Sequence, residues 1–288
     1  YYFLNLCLTL NLKLSYPCTM SYKLLCTDID GTLLNAEREL APETIFQFKR
    51  IKENCSVILA SSRMPDAMRH LQRDADIAGS PLIAYNGGLV LDGDKVLSST
   101  EIAYKEVEKI VELSGGTEIH VSIYNTDEWY VPAMDYWADR EASNTKVTPQ
   151  VRSLTETLAE YSKTNKGAHK VMCMGPADDI AVLYDNLILH LNEDLHVYKS
   201  KDTYLEIASK KISKKSAIAT LLEHVYGHLD WKDVIAFGDN YNDMEMLAAV
   251  GMGVAVGNAK EEVLAIANDV TATNKKHGVA LSVAKHIL

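Results

Sequence analysis

Short apolar runs that break off at polar or glycine-containing turns recur along this chain, and helical patterns lie between several of them. Lys23 to Thr27 gives way to Asp28-Ile29-Asp30-Gly31-Thr32, Ser56 to Ala60 to Ser61-Ser62-Arg63, and Pro81 to Tyr85 to Asn86-Gly87-Gly88. Asp233 to Phe237 runs into Gly238-Asp239-Asn240, and Gly253 to Val256 into Gly257-Asn258. Helical patterns span 42–52, 65–73, 214–226, 243–250 and 260–268. A strand that is apolar throughout has to be covered on both faces, and alternation with helices supplies that cover. The expected fold class is therefore α/β, with a doubly wound, Rossmann-like parallel-sheet core. In such sheets the chemistry gathers beyond the carboxyl ends of the strands, where the polar clusters above all stand.

The middle of the chain reads differently. It is rich in aromatic residues, and its strand candidates, such as Glu118 to Tyr124 and Lys170 to Met174, alternate in a way that predicts a sheet covered on one face. The expected organisation is a core formed by residues 20–101 and 207–288, with an α+β cap domain inserted at 102–206. Residues 1–19 read as an over-extended N-terminus with Met20 as the true start. The alternative is an extra strand, because leucines recur with period two from Leu4 to Leu14. Asn5, Thr9, Asn11 and Lys13 interrupt that stretch, which fits neither a membrane span nor a signal-peptide core.

A formal net charge of −10 argues against nucleic acid as a partner. It leaves room for a small anionic substrate, because a metal and one or two basic side chains can invert the sign locally. The five scattered cysteines form no CxxC pair, which suits a reducing cytoplasm, with Cys26 and Cys55 as small buried residues. The histidines show no zinc-ligand spacing.

Asp28 and Asp30, two residues apart after a buried strand, repel each other unless a cation intervenes or one is protonated. That pairing suits a nucleophile beside a proton donor and acceptor, while Gly31 permits a sharp departure from the strand. An ordinary acidic turn is the plainer alternative. In Gly238-Asp239-Asn240-Tyr241-Asn242-Asp243, clustered oxygen ligands suit Mg²⁺. Asp243 also stands where a helix begins and doubles as an N-cap candidate. Ser61 offers a hydroxyl and a backbone N–H to a phosphate oxygen, and Lys214 a positive charge. Each alone would be read as a turn serine and a solvated lysine.

Taken in order, DxDGT, Ser after a second strand, Lys and GDxxND resemble the haloacid dehalogenase superfamily, and specifically its Cof-type phosphatases, from about Met20 to the C-terminus. Asn86-Gly87-Gly88 and Asn258-Ala259 add to the likeness. Two departures stand out: Ser61-Ser62-Arg63 replaces Thr-Gly-Arg, and Lys214-Lys215 replaces Lys-Gly. The resemblance implies a phosphatase acting on a small phosphorylated metabolite, such as a sugar phosphate, through an aspartyl phosphate on Asp28. Asp30 would protonate the leaving alcohol and then activate water. Mg²⁺ would be held by Asp28, the Asp30 carbonyl and Asp239, with Asp243 positioning waters or Lys214. Gly31, Thr32, Ser62, Arg63, Asn86, Gly87, Lys214 and Asn242 are expected to bind phosphate or substrate, with Lys170 and Glu206 as cap candidates. The insertion would act as a lid, on a monomer or small homo-oligomer without membrane attachment. A phosphosugar mutase would need several cap arginines, whereas residues 102–206 contain only Arg140 and Arg152. A non-catalytic phosphometabolite-binding protein would be expected to lack one of the four carboxylates.

Overall fold

The computed structural model describes residues 22–191 and 193–287, so the two readings of residues 1–19 lie outside the described residues. The described residues build two sheets. The larger has eight strands in the order β14-β13-β12-β1-β2-β3-β4-β5. Its parallel part comprises β1 (Leu24–Thr27), β2 (Ser56–Ala60), β3 (Leu82–Ala84), β12 (Val234–Gly238), β13 (Met252–Ala255) and β14 (Asp269–Val270). The hairpin β4 (Leu89–Asp92) and β5 (Lys95–Ser99) extends one edge in the antiparallel sense.

Alternate residues of the central strands feed two clusters on opposite faces. Leu25, Val57, Leu59, Ile235 and Phe237 pack with α1 (Pro42–Ile51), α2 (Asp66–Asp74) and α10 (Gly278–His286). Leu24, Cys26, Ile58, Ala60 and Ala236 pack with α7 (Lys214–His224), α8 (Met244–Ala249) and α9 (Glu261–Ile266). Burial on both faces explains the unbroken apolar runs. Cys26 and Cys55 are buried free thiols, as expected.

From β1 the chain winds through β2 and β3 on one side, then returns to β12 on the other. The carboxyl ends of β1 and β12 are thus adjacent at the point where the winding reverses, the place where doubly wound sheets open a crevice for ligands.

The second sheet has the order β10-β11-β9-β6-β7-β8 and is formed wholly within residues 120–209. Its strands are β6 (His120–Asn125), β7 (Glu128–Val131), β8 (Gln150–Val151), β9 (Lys170–Met174), β10 (Leu195–Lys201) and β11 (Tyr204–Ser209). One face packs on α3 (Tyr104–Leu113), α5 (Leu154–Thr164) and α6 (Ala177–Leu191) through Val121, Ile123, Val171 and Cys173. The expectation of a sheet covered on one face is corrected here: β6 and β9 are buried at every position. Their other face, with Tyr124, Met172, Met174, Trp129 and Tyr204, is continuous with the core cluster of the large sheet and with Ala138 of α4 (Tyr136–Thr145).

Polar contacts fix the two sheets together. Tyr85 stacks on His169 (5.1 Å between ring centroids) and donates its hydroxyl to the Thr126 carbonyl at 2.6 Å. Asp127 accepts from the Asp66 backbone N–H and from Arg69, and Lys170 donates to the Ser62 carbonyl at 3.0 Å.

Candidate active site

Asp28 leaves β1 with its backbone N–H on the Phe237 carbonyl of β12. Next to it, Gly31 takes φ +90°, and a Cβ there would lie 2.5 Å from an Asp239 carboxylate oxygen. Glycine is therefore required twice over, by conformation and by space. Thr32 donates its hydroxyl to the other Asp239 oxygen at 2.8 Å, fastening the first motif to the fourth.

Asp239 and Asp243 follow β12. Gly238 lets the loop fold back, since a Cβ there would clash with the Asp243 side chain at 2.5 Å. Asp243 does precede α8, but its side chain makes no cap to that helix. One oxygen accepts from the backbone N–H groups of Asp239 and Asn240, and the other from Lys214 at 2.6 Å. As an N-cap of α8 the sequence reading is corrected: the acid closes the preceding 3₁₀ turn instead, because that turn brings the loop amides to it.

Lys214 opens α7, capped by Ser213, and is fully buried. Its ammonium lies 2.6 Å from Asp28 Oδ1 as well as from Asp243 Oδ1. Despite burial, which disfavours the charged form, Asp243 and Asp28 hold it well above the usual lysine range. One ammonium faces three carboxylates whose oxygens, from Asp28, Asp239 and Asp243, all lie within 4.8 Å of one another. The imbalance disfavours their charged forms. Burial, reinforced by Asp243 and Asp239 against the pull of Lys214, raises Asp28 well above the carboxylate range. Burial and the Asp243 charge bring Asp239 up to about 6, against the Thr32 hydrogen bond. A cluster this anionic, built of hard oxygens, fits a divalent cation such as Mg²⁺.

Asp30 behaves in the opposite way. Against burial, the hydrogen bonds and charge of Arg63, helped by Arg38, hold it below the usual range. Arg63 was expected at the phosphate; it is 5% exposed and forks onto Asp30 instead.

Asp28, Asp30 and Asp239 line the floor of a cavity of about 500 Å³, together with Ser61, Ser62 and Lys214. Asn86 and Asn242 stand at its side, linked at 2.9 Å, and Asn86 reaches Glu206 at 3.4 Å. Tyr85 and Asn86 both have positive φ, as does Gly87, which packs its backbone against the Ser213 carbonyl. The second sheet contributes Glu206 from β11 and His196, Tyr198 and Ser200 from β10. Those three alternate along one strand, and nothing in its LHVYKSK sequence sets them apart from Lys199 and Lys201. Lys170 lies behind the wall, 4.7 Å from the Tyr124 ring centre. Gly31, Thr32, Arg63 and Gly87 support the cavity without lining it.

The sequence profile of the haloacid dehalogenase-like hydrolases matches residues 25–282. The chain belongs to this family. As a HAD-like phosphatase of the Cof type it has relatives named for the same activity. A provisionally named phosphatase of Haemophilus influenzae is 30% identical over 266 residues, covering 91% of this chain and 97% of that one. The 5-amino-6-(5-phospho-D-ribitylamino)uracil phosphatase YitU of Bacillus subtilis is 26% identical, with 89% and 94% covered. Among solved structures, a haloacid dehalogenase-like hydrolase from Bacteroides thetaiotaomicron superposes with a TM-score of 0.84 at 26% identity, covering 92% of this chain and 99% of that one. Among the described residues, no helix is long and apolar enough to cross a membrane.

Proposed function

We propose that this HAD-like phosphatase hydrolyses a small, hydroxyl-bearing phosphate monoester through an aspartyl phosphate on Asp28, with Mg²⁺ as cofactor. The observation that carries the reading is the buried Asp28 carboxylate on the cavity floor, aligned by Lys214 and flanked by Asp239. Asp28 attacks phosphorus while Asp30, ionised in the free protein and taking up a proton as the phosphate dianion docks beside it, gives that proton to the departing alkoxide; Asp30 then takes a proton from the water that opens the intermediate. Lys214 and the Ser61 hydroxyl offset the repulsion between a carboxylate and a phosphate dianion. Asp28, Asp239 and the Asp30 carbonyl would hold Mg²⁺, which supplies charge neutralisation at the phosphoryl oxygens when bound. Asp243, both of whose oxygens are engaged, positions Lys214 and the Asp239 loop.

The cap wall supports the substrate class. Asn86, His196, Tyr198, Ser200 and Glu206 offer hydrogen bonds to hydroxyl groups, and among the described residues no arginine lines the cavity to take a second phosphate, as a mutase would require. The YitU substrate, by its name, carries its phosphate on a ribityl chain, which is the same chemistry. The 102–206 segment acts as the cap that shields the reaction from water, and the cytoplasm is the compartment that suits the free thiols.

Screening phosphorylated metabolites for released phosphate tests this. Sugar and polyol monophosphates should be hydrolysed with Mg²⁺, bisphosphates poorly, and EDTA should abolish turnover. Full activity after exhaustive chelation would refute the metal's role, and transfer of phosphate between sugars without release would point to a mutase.

A further inference from the structure

The wall of the cavity carries a negative charge that its surroundings leave unbalanced. Among the described residues, the one lysine or arginine in the lining is Lys214, and its ammonium is divided between Asp28 and Asp243. Glu206 of β11 lies directly across the strand pair from Tyr198 of β10, so both side chains share the face turned to the cavity. Its one contact there is long and neutral: Asn86 donates an amide N–H to Oε1 at 3.4 Å. No ion pair reaches Glu206 among the described residues, because the Lys170 ammonium is spent on the Ser62 carbonyl at 3.0 Å and on the Tyr124 ring. Burial raises the Glu206 carboxyl above the ordinary range; Lys170 offsets part of this, and Glu141 of α4 adds to it. Glu245, exposed and also in the lining, carries the same sign.

We propose that Glu206 is a specificity-determining residue that reads the charge of the leaving alcohol, admitting phosphate esters whose alcohol is a neutral polyol or bears an ammonium and rejecting those whose alcohol bears a carboxylate. The proposal rests on the phosphatase reading above and narrows its substrate class. A hydroxyl donates to the Glu206 carboxylate, and an ammonium supplies the counter-charge that the wall lacks. A carboxylate brings a second like charge to a wall already short of cations, so one of the two acids must take up a proton or stand unpaired. Discrimination of this kind comes from the repelled ester as much as from the favoured one.

Two matched pairs of esters test this through kcat/KM, at about pH 6.5, below the range of an ordinary α-amino group. Sorbitol 6-phosphate and 6-phosphogluconate differ only in a terminal hydroxymethyl against a carboxylate; glucose 6-phosphate and glucosamine 6-phosphate differ only in a hydroxyl against an ammonium. In the wild type the carboxylate should cost a factor of about ten or more, and the ammonium should gain about threefold or more, the scale of one charge contact at a partly exposed site. Glu206→Gln keeps the size of the side chain and an oxygen for Asn86, and it should bring both ratios to within about twofold of parity. Wild-type ratios already near parity, or a carboxylate penalty that survives in Glu206→Gln, would overturn the proposal; the first of these needs no variant to fold. If the wild type hydrolyses p-nitrophenyl phosphate but none of the four esters, the sugar-phosphate reading fails by itself. The charge preference is then decided by the inhibition constants of the same four esters against p-nitrophenyl phosphate, with the same ratios expected. Failure to hydrolyse any of the five with Mg²⁺ would sink the phosphatase reading and this proposal with it.

Discussion

Replacing Asp239 by Asn should make the metal-free protein more stable while destroying its function. Asp239 titrates near 6 in the fold against 3.8 for the ordinary side chain, because it is buried beside Asp243. Above pH 7 the folded state carries a charge that the unfolded state carries more cheaply. The full difference amounts to about 3 kcal/mol, and partial exposure of the site brings the expected gain for Asp239→Asn to about 1–3 kcal/mol. The sign then follows. As pH falls through 6 the folded carboxyl protonates first, so the wild type recovers stability, and below about 3.8 the penalty is gone. The advantage of the variant should therefore be largest at pH 7.5 and shrink steadily toward pH 4. The amide retains an oxygen for the Thr32 hydroxyl, so that contact survives the change.

Urea unfolding in EDTA at several pH values measures this directly. Adding Mg²⁺ should reverse the ranking, since a cation bound only to the folded wild type contributes about 4.1 kcal/mol at a thousandfold excess over its Kd. A variant less stable than wild type in EDTA at pH 7.5 would refute the argument that the acids are left in electrostatic excess. An unchanged ranking with Mg²⁺ would remove Asp239 from the metal site.

Three further outcomes are expected. Asp28→Asn should fold normally yet turn over at below about a thousandth of the wild-type rate, checked by phosphate release alongside circular dichroism. Lys214→Met leaves two buried carboxylates without their shared ammonium and should cost about 3–5 kcal/mol in urea unfolding in EDTA; a loss below about 1 kcal/mol would contradict its role as counter-charge. His169 is lowered to about 4 by burial, so the protein should lose about 3 kcal/mol as pH falls from 6.5 to 4, when the unfolded histidine protonates and the folded one does not. In His169→Asn that part of the pH slope should disappear from the unfolding curves.

The core was legible in the sequence because its strands are apolar on both faces and end at the polar turns that line the cavity. The residues after β1, β2 and β12 stand at adjacent strand ends, where the order of motifs places them. The hairpin of β4 and β5 escaped that reading although Asp92-Gly93-Asp94-Lys95 carries a turn signal and Gly93 has φ +58°. Its strands neither alternate with helices nor end in polar motifs. Both-face burial of the second sheet was not legible for a different reason. Tyr124 and Met172 read as one side of an alternating strand, and only packing against the core of the large sheet decides what covers them. The family resemblance gave Arg63 a place near phosphate or substrate, while its fork onto Asp30 depends on side-chain directions that spacing does not encode.

Those same contacts constrain how substrate reaches the cavity. A lid that lifted as one body would have to break the Tyr85–His169 stack, the Lys170 bond to Ser62, and the Asp127 contacts to α2. It would also part the apolar cluster that joins Tyr124, Trp129 and Met174 to the large sheet. The far end is held more lightly. There β10 is an edge strand, exposed over its last four residues, and Tyr198 meets Asn240 through exposed hydrogen bonds of 3.1 and 3.4 Å. Opening should therefore be confined to the β10–β11 end, swinging Tyr198 and Ser200 away from Asn240 while β6 and β9 stay docked. Hydrogen exchange of the metal-free protein checks this: the amides of β10 should exchange well ahead of those of β6 and β9. Equal protection across the sheet, lost together on a common timescale, would mean that the whole second sheet moves and that the packing against Tyr85 is weaker than its burial implies.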